Sequence, residues 1–318
     1  MRLILRRLVV AADASKNNYL NNCRLTLSSP RAQQQQTTRR SLSSSSSGSS
    51  SKSEWWSSSN NDNAVNVIQG PNLLTTSTPR PSPSLLFLPG LRSLPLWTRN
   101  SSTEPTQVAF SDPGLTALVE YLEGHAEEMK DEYLDKNSSD TSIESDYADA
   151  DGHDKLHEGV WKWHSYMTKG QICHNFSPFA TYFPRTKEIL DNLREQDPLL
   201  LFEDLPFGFS FLSTLEGNGS IAPHSSPMNL RLRIHLPLIV PSQDSKECGI
   251  QVGTQVQPWT PGKCMILDDS YPHHVWNQTQ DKRVLLLLDI WHPDISKPER
   301  EEIRTMFQQA KEQGLWKV

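Results

Sequence analysis

Cysteine is scarce in this 318-residue sequence, which has four cysteines and no pair at the C-x-x-C spacing. A disulfide-stabilised scaffold needs a denser set of cysteines, and zinc ribbons need closely spaced pairs. The sequence therefore disfavours both a disulfide framework and a zinc ribbon.

Long hydrophobic runs are also lacking. The longest is VLLLLDI at residues 284–290, far shorter than the ~20 apolar residues that a helix needs to cross a bilayer. We therefore expect no membrane span.

Positive charge is scarce outside one end of the chain. Residues 1–53 contain nine Lys and Arg residues against one acid, Asp13, while the whole chain carries a formal charge of −6. The remainder is therefore strongly acidic. Nucleic-acid grooves need clustered Lys and Arg to replace phosphate counterions, so the sequence predicts no nucleic-acid partner.

The basic end has a recognisable composition. Residues 1–53 are rich in Arg and Ser and nearly free of acid, which is typical of an organellar transit peptide. We predict a targeting segment for a mitochondrion in preference to a plastid, followed by a disordered linker over residues 54–84. The alternative is a plain disordered tail on a cytoplasmic protein.

The remaining residues, 85–318, are predicted to form one domain. Apolar residues at helical spacing indicate helices over residues 113–134 and 183–196, and the acidic stretch 135–156 between them indicates a mobile loop. After residue 205, short strands follow one another with turns such as TPGK between them.

This pattern predicts a mainly β fold with flanking helices, in the form of a double-stranded β-helix, that is, a cupin-like jelly roll. The chain is predicted to end in a helix that begins with a capping box of Ser296 and Glu299.

One strand points to a site. In LRLRIHLPL, residues 230–238, apolar residues alternate with Arg231, Arg233 and His235, so these three side chains share one face. In a jelly roll such a face lines a cavity, where guanidinium groups would bind an anion. On this strand alone, a solvated polar face is an equally good interpretation.

Two histidines and an arginine elsewhere in the sequence favour a binding site over a solvated face. His224 lies upstream of this strand, His273 follows 49 residues after His224, and Arg283 follows ten residues later. This is the layout of a site in which two imidazoles hold Fe(II) and an arginine binds the far carboxylate of a 2-oxoacid. The usual carboxylate ligand, two residues after the first histidine, is here Ser226.

The runs APHSSPMNLRLRIHLPL, GKCMILDDSYPHHVWN and LLLLDIWHPDI resemble the aspartyl/asparaginyl β-hydroxylase family of Fe(II)- and 2-oxoglutarate-dependent oxygenases. That family binds iron with only two histidines, which would account for Ser226. The resemblance implies that His224 and His273, and not His274, hold the metal. It assigns the binding of 2-oxoglutarate to four residues: Ser213, Arg233, His235 and Arg283. Asp268 and Asp269 are predicted to accept hydrogen bonds that orient His273, with the capping of a turn as the alternative role, and Trp276 is predicted to lie next to the metal ligands.

The implied function is that of a dioxygenase that hydroxylates an unactivated C–H bond. The expected substrate is the β carbon of an Asp or Asn side chain in a peptide or protein, or a related small molecule. A halogenase-type variant is an alternative, since the missing carboxylate leaves room for a halide. A non-catalytic jelly-roll module that binds a ligand or partner in the same cavity is another.

Overall fold

The computed structural model describes residues 85–97, 113–138, 144–147, 156–197 and 200–314. The proposed targeting segment and linker lie outside these residues, as does most of the proposed acidic loop. Within the described ranges, no helix has both the length and the apolar character needed to cross a membrane.

The described residues form two antiparallel sheets, one of seven strands and one of five. The strands are β1 (Leu96–Trp97), β2 (His157–Glu158), β3 (Trp161–Thr168), β4 (Gln171–Ile172), β5 (Ser210–Leu215), β6 (Gly219–His224), β7 (Arg231–Ile239), β8 (Cys248–Val252), β9 (Gln255–Gln257), β10 (Met265–Leu267), β11 (His273–Asn277) and β12 (Arg283–Trp291). The larger sheet has the order β1-β10-β7-β12-β5-β3-β4 and the smaller has β2-β6-β11-β8-β9. The predicted fold class, a mainly β jelly roll with flanking helices, is confirmed.

The helices of the described ranges are α1 (Pro113–Gly124), α2 (Ala126–Ser138), α3 (Pro178–Tyr182), α4 (Pro184–Gln196) and α5 (Lys297–Glu312). The single helix predicted over residues 113–134 is therefore wrong in one respect, because it is broken at His125. A ring nitrogen of His125 lies 2.8 Å from the carbonyl oxygen of Tyr121, and Gly124 before it has low helix propensity. The second part continues to Ser138, into the stretch predicted as loop.

Both faces of the larger sheet are buried, which explains the unbroken apolar run of β12. On one face, Leu232 and Leu286 pack with Leu118 and Met129 of the helices. On the other face, Leu285 and Leu287 pack against Ile250 and its neighbours in the smaller sheet. A strand that is covered on both sides does not need alternating apolar and polar residues. The polar side chains that β7 and β12 place between the sheets therefore need another explanation.

The C-terminal helix closes one end of the sandwich. The Glu299 carboxylate accepts a hydrogen bond from the backbone N–H of Ser296 at 3.0 Å, so the predicted capping box is confirmed. Ile303 and Phe307 of α5 pack with Trp291 at the end of β12. The helix thus covers the strand end that follows the apolar run.

A buried carboxylate from α2 caps helix α4. Glu132 is only 1% exposed. Its oxygens accept hydrogen bonds from the backbone N–H groups of Arg185 and Thr186, both at 2.8 Å, and from the Thr186 hydroxyl. The first N–H groups of a helix have no partner within the helix and carry partial positive charge, so Glu132 satisfies this end and ties the two helices together.

We expect Glu132→Ala to lower the free energy of unfolding by about 3 kcal/mol, because it leaves buried donors unpaired at a helix N-terminus. Urea unfolding of the variant measures this loss. Glu127→Ala is the matched control, since the Glu127 side chain is 75% exposed in the same helix, and its effect should stay below about 0.5 kcal/mol. Equal effects of the two substitutions would contradict the capping role.

Candidate functional site

Two histidines that are 49 residues apart in the sequence meet across a pair of strands. His224 ends β6 and His273 begins β11, and the two are direct partners in the antiparallel ladder. Their ring centroids are 4.1 Å apart. The register shifts just after this pair, as at a β-bulge, which re-aims side chains locally.

Both rings are oriented by the backbone. The Nδ1 atom of His224 lies 2.8 Å from the carbonyl oxygen of Ala222, and that of His273 lies 2.9 Å from the carbonyl oxygen of Tyr271. A carbonyl oxygen can only accept, so Nδ1 of each ring carries the hydrogen and Nε2 keeps its lone pair. Backbone carbonyls, and not Asp269 as expected for His273, therefore fix the tautomer that leaves Nε2 available to a metal.

Burial also keeps the two rings neutral. It lowers the pKa of His224 to about 3, with the neighbouring His273 as the next cause, and it lowers the pKa of His273 to about 4. Neutral imidazole is the form that binds a metal.

A third protein ligand is absent from this pair. Ser226 is buried at the position where a carboxylate would complete the usual triad. Within the part of the chain that the structure describes, no group of three His, Cys, Asp or Glu side chains is arranged to hold a metal ion. The donor set offered here is two imidazoles.

The alternation of β11 separates His273 from its neighbours His274 and Trp276. His273 and Val275 are buried, whereas His274 and Trp276 are half-buried. The indole of Trp276 donates to the carbonyl oxygen of Ser245 at 2.8 Å and its ring lies 5.1 Å from that of His274. Trp276 was expected to support the metal ligands, but side chains of successive strand residues point to opposite faces, and the structure places it on the other face.

A closed network of charges lies beside the histidines. Arg233 donates from Nε and Nη2 to Asp289 at 2.8 and 3.0 Å. Arg231 donates to Asp289 and to Asp269, both at 2.7 Å. Burial opposes the ionisation of Asp269, but Arg231 and Arg233 bring its pKa below the ordinary value.

The network engages two of the predicted site residues. Arg233 was expected to face a cosubstrate, yet two of its nitrogens are held by Asp289. Asp269 was expected to orient His273, yet it pairs with Arg231. Residues on one face of a strand find the partners that the neighbouring strand presents, and Asp289 of β12 lies directly opposite Arg233 of β7.

Arg283 is different from the other two arginines. It is 1% exposed, and its Nε and Nη2 have no hydrogen-bond partner among the described residues. Burial lowers the pKa of Arg283 to about 10, so it remains charged at neutral pH. A buried, unpaired charge costs several kcal/mol, which makes this guanidinium a ready site for an anion.

Two further polar groups share the interior with Arg283. Ser213 and His235 lie opposite Leu285 and Leu287 of β12, on the face that looks at the smaller sheet. The Ser213 hydroxyl accepts a hydrogen bond from the indole of Trp161 at 2.9 Å, which leaves its own hydrogen free to donate. The structure thus brings four other predicted residues within electrostatic reach of His235: Arg233, Arg283, His273 and His224.

The sequence did not predict a cluster of aromatic side chains formed by Tyr147, Trp161 and Trp163. Tyr147 lies in the stretch predicted as an acidic loop, but its ring is 5.0 Å from Trp161 and 4.9 Å from Trp163. The segment is held to β3 by hydrogen bonds that include Asp146 N–H to the Trp163 carbonyl oxygen at 3.0 Å. A lone tyrosine among acids gave no periodic signal, although an aromatic residue is unusual in a solvated stretch.

We expect Asp289→Asn to lower the free energy of unfolding by about 3–5 kcal/mol, because it leaves two buried arginines short of their charge partner. Chemical denaturation monitored by tryptophan fluorescence measures the loss. Asp135→Asn makes the same chemical change at a side chain that is 75% exposed and 3.5 Å from Arg185, and it should cost less than about 1 kcal/mol. A loss at Asp289 no larger than this control would show that the network is not needed for the fold.

Comparison with known proteins agrees with the geometry. Residues 123–293 match the family model described as aspartyl/asparaginyl beta-hydroxylase. The chain is 26% identical over 223 residues to the aspartyl/asparaginyl beta-hydroxylase of Mus musculus, which covers 69% of this chain and 26% of that protein. It is 40% identical over 84 residues to the ornithine lipid ester-linked acyl 2-hydroxylase of Rhizobium tropici, covering 26% of this chain and 30% of that protein.

A solved structure of a Pseudomonas putida prolyl-4-hydroxylase aligns with a TM-score of 0.32 and 10% sequence identity over 55% of this chain and 89% of that chain. The chain spans about a quarter of the length of the mouse relative. The family model, however, matches more than half of the chain, including both site histidines and Arg283. The chain therefore belongs to the aspartyl/asparaginyl β-hydroxylase family.

Proposed function

We propose that this protein is an Fe(II)- and 2-oxoglutarate-dependent dioxygenase that hydroxylates an unactivated C–H bond. The proposal rests on two kinds of group in the same interior: imidazoles with lone pairs that can bind a metal, and a guanidinium with N–H groups that can bind an anion. Two imidazoles with available Nε2 atoms, and one buried guanidinium whose Nε and Nη2 have no hydrogen-bond partner among the described residues, all lie within electrostatic reach of His235.

The two imidazoles fit a divalent iron. His224 and His273 are neutral, adjacent and oriented by backbone carbonyls, and imidazole is a ligand that suits iron. With 2-oxoglutarate bound alongside, the iron would supply hydroxylation of a C–H bond by dioxygen, in which one oxygen atom enters the substrate and the other enters the succinate that forms from 2-oxoglutarate with loss of carbon dioxide. Ser226, which is buried, would supply no carboxylate ligand.

The groups around Arg283 fit the far carboxylate of a dicarboxylic acid. Nε and Nη2 of one guanidinium form a fork that matches two carboxylate oxygens. Ser213 and His235 stand on the same interior face and add donors. These residues bind and orient the cosubstrate, and the apolar side chains between the sheets exclude water from it.

The proposed substrate is the β carbon of an Asp or Asn side chain in a peptide, or a related small molecule. The mouse relative is named for hydroxylation of aspartyl and asparaginyl residues, and the Rhizobium relative for hydroxylation of an acyl chain. The strongly acidic composition beyond residue 53 favours a peptide over a lipid surface with anionic head groups. Import into a mitochondrion, proposed from residues 1–53, would select among mitochondrial peptides.

The direct test is anaerobic titration with Fe(II), followed by addition of oxygen and measurement of succinate with candidate substrates. The panel includes Asp- and Asn-containing peptides, free Asp and Asn, and an acyl lipid. Product mass separates hydroxylation from halogenation when chloride is present. If the protein binds Fe(II) and 2-oxoglutarate but forms no product with any substrate of the panel, this result would favour the non-catalytic module.

We expect His224→Ala and His273→Ala each to abolish Fe(II)-dependent turnover, because a site with two protein ligands has no spare donor. His274→Ala is the matched control and should retain most activity, since His274 lies on the other face of β11. Turnover and metal content of the three variants check this. An inactive His274→Ala with an active His273→Ala would move the metal site by one residue and contradict the assignment.

We expect Arg283→Ala to weaken 2-oxoglutarate binding about ten- to a hundredfold, since a hydrogen bond to a charged group is worth ~1.5–3 kcal/mol. Arg283→Lys should recover only part of the loss, because an ammonium group cannot form the fork. The dissociation constant, measured by titration with Mn(II) in place of iron, tests both.

The control for Arg283 is Arg300→Ala, an arginine that packs over Trp291 at the C-terminal helix and should leave 2-oxoglutarate binding unchanged. Arg283→Ala removes a buried charge that has no ionic partner, so this variant should not be strongly destabilised in the absence of ligand. A folded Arg283→Ala protein that binds 2-oxoglutarate as tightly as wild type would overturn the assigned role.

A further inference from the structure

A tryptophan from a loop is buried at the centre of the candidate site. Trp259 follows β9 in the run QPWTPGK and is 0% exposed. It belongs to the apolar cluster between the two sheets, together with Leu285 and Leu287 of β12. Most residues of that cluster come from strands, so the loop brings this indole to the interior as an exception.

The polar edge of the indole is directed at His235. Nε1 of Trp259 lies 3.3 Å from Nδ1 of His235, and the two rings are 6.1 Å apart between centroids. An indole N–H is a donor only, so Nδ1 of His235 must act as the acceptor. A neutral His235 then carries its hydrogen on Nε2, and that nitrogen is a donor.

The same indole lies against Arg283. The guanidinium carbon is 5.1 Å from the centroid of the Trp259 ring, a distance typical of cation–π contact. One side chain thus contacts two of the three groups that the proposed function assigns to 2-oxoglutarate. Its N–H fixes one donor, and its face lies beside the other.

We infer that Trp259 is a positioning residue for the 2-oxoglutarate site, an inference that rests on the proposed function. Trp259 holds the tautomer and ring orientation of His235, so that its Nε2–H donates to the bound dicarboxylate beside Arg283. The site histidines then have different tautomers, and each tautomer matches the proposed role of its residue. His224 and His273 carry hydrogen on Nδ1 and offer a lone pair to a metal, whereas His235 carries it on Nε2 and offers a donor to an anion.

The first measurement needs no substitution. Nitrogen-15 spectra of the histidine rings in wild-type protein report which nitrogen is protonated. We expect His235 to show hydrogen on Nε2 before and after 2-oxoglutarate is added with Zn(II) as a diamagnetic metal. A His235 ring protonated on Nδ1 would overturn the inference.

The second measurement uses Trp259→Phe, which keeps an aromatic ring near Arg283 but removes the N–H. We expect the dissociation constant for 2-oxoglutarate, measured with Mn(II), to rise about three- to tenfold, the value of one hydrogen bond. Trp97→Phe is the matched control. Trp97 is also buried, but its Nε1 has no hydrogen-bond partner among the described residues. Trp97→Phe therefore loses the same atoms without losing a hydrogen bond. The affinity of this variant for 2-oxoglutarate should not change.

A double-mutant cycle separates positioning from packing. If Trp259 acts through His235, Trp259→Phe should have less than about a twofold effect on affinity in a His235→Ala background. The same loss in both backgrounds, or wild-type affinity in the single variant, would overturn the inference while leaving the proposed function intact. Failure of wild-type protein to bind 2-oxoglutarate with any of these metals would instead overturn the proposed function, and this inference with it.

Discussion

The structure depends on how charge is balanced in the space between the two sheets. Strands β7 and β12 are covered on both faces, so the polar side chains that they direct inward are largely removed from water. Arg231 and Arg233 find charge partners there, because Asp269 and Asp289 lie within hydrogen-bonding distance. Two guanidinium groups and two carboxylates thus balance one another in charge.

Arg283 lies in the same interior without such a partner among the described residues. Desolvation acts on it as it acts on the paired arginines, and the Trp259 ring, 5.1 Å from the guanidinium carbon, offsets part of the cost. The two arginines predicted to bind the cosubstrate therefore differ in their surroundings: Arg233 is paired with Asp289, whereas Nε and Nη2 of Arg283 have no hydrogen-bond partner among the described residues.

The sequence was sufficient for the features that depend on local periodicity. The alternation of residues 230–238 placed Arg231, Arg233 and His235 on one face, and the structure agrees. The jelly roll was predicted from the succession of short strands and turns, whereas the choice of His273 over His274 came from the family resemblance; the structure buries His273 and leaves His274 half-buried. Spacing also brought out His224 and His273, which become neighbours only through the pairing of β6 with β11.

Features that depend on register or on loops could not be predicted. Nothing in the sequence says that Asp289 stands opposite Arg233, because this depends on the alignment of two strands 56 residues apart. Nothing says that the Tyr271 carbonyl, and not Asp269, orients His273, because the acceptor is a backbone atom that every residue has. Trp259 and Tyr147 lie in loops, where no period indicates which side chains turn inward.

The unfilled groups of the site also connect function with stability. Nε and Nη2 of the buried Arg283 have no hydrogen-bond partner among the described residues, which lowers the stability of the ligand-free protein relative to a fully paired interior. A metal and a dicarboxylate that bind only the folded state would restore this energy by mass action. Under the proposed function, tight binding and a fully paired interior are opposed requirements at Arg283, whereas Arg231 and Arg233 are paired with Asp269 and Asp289 in the protein itself.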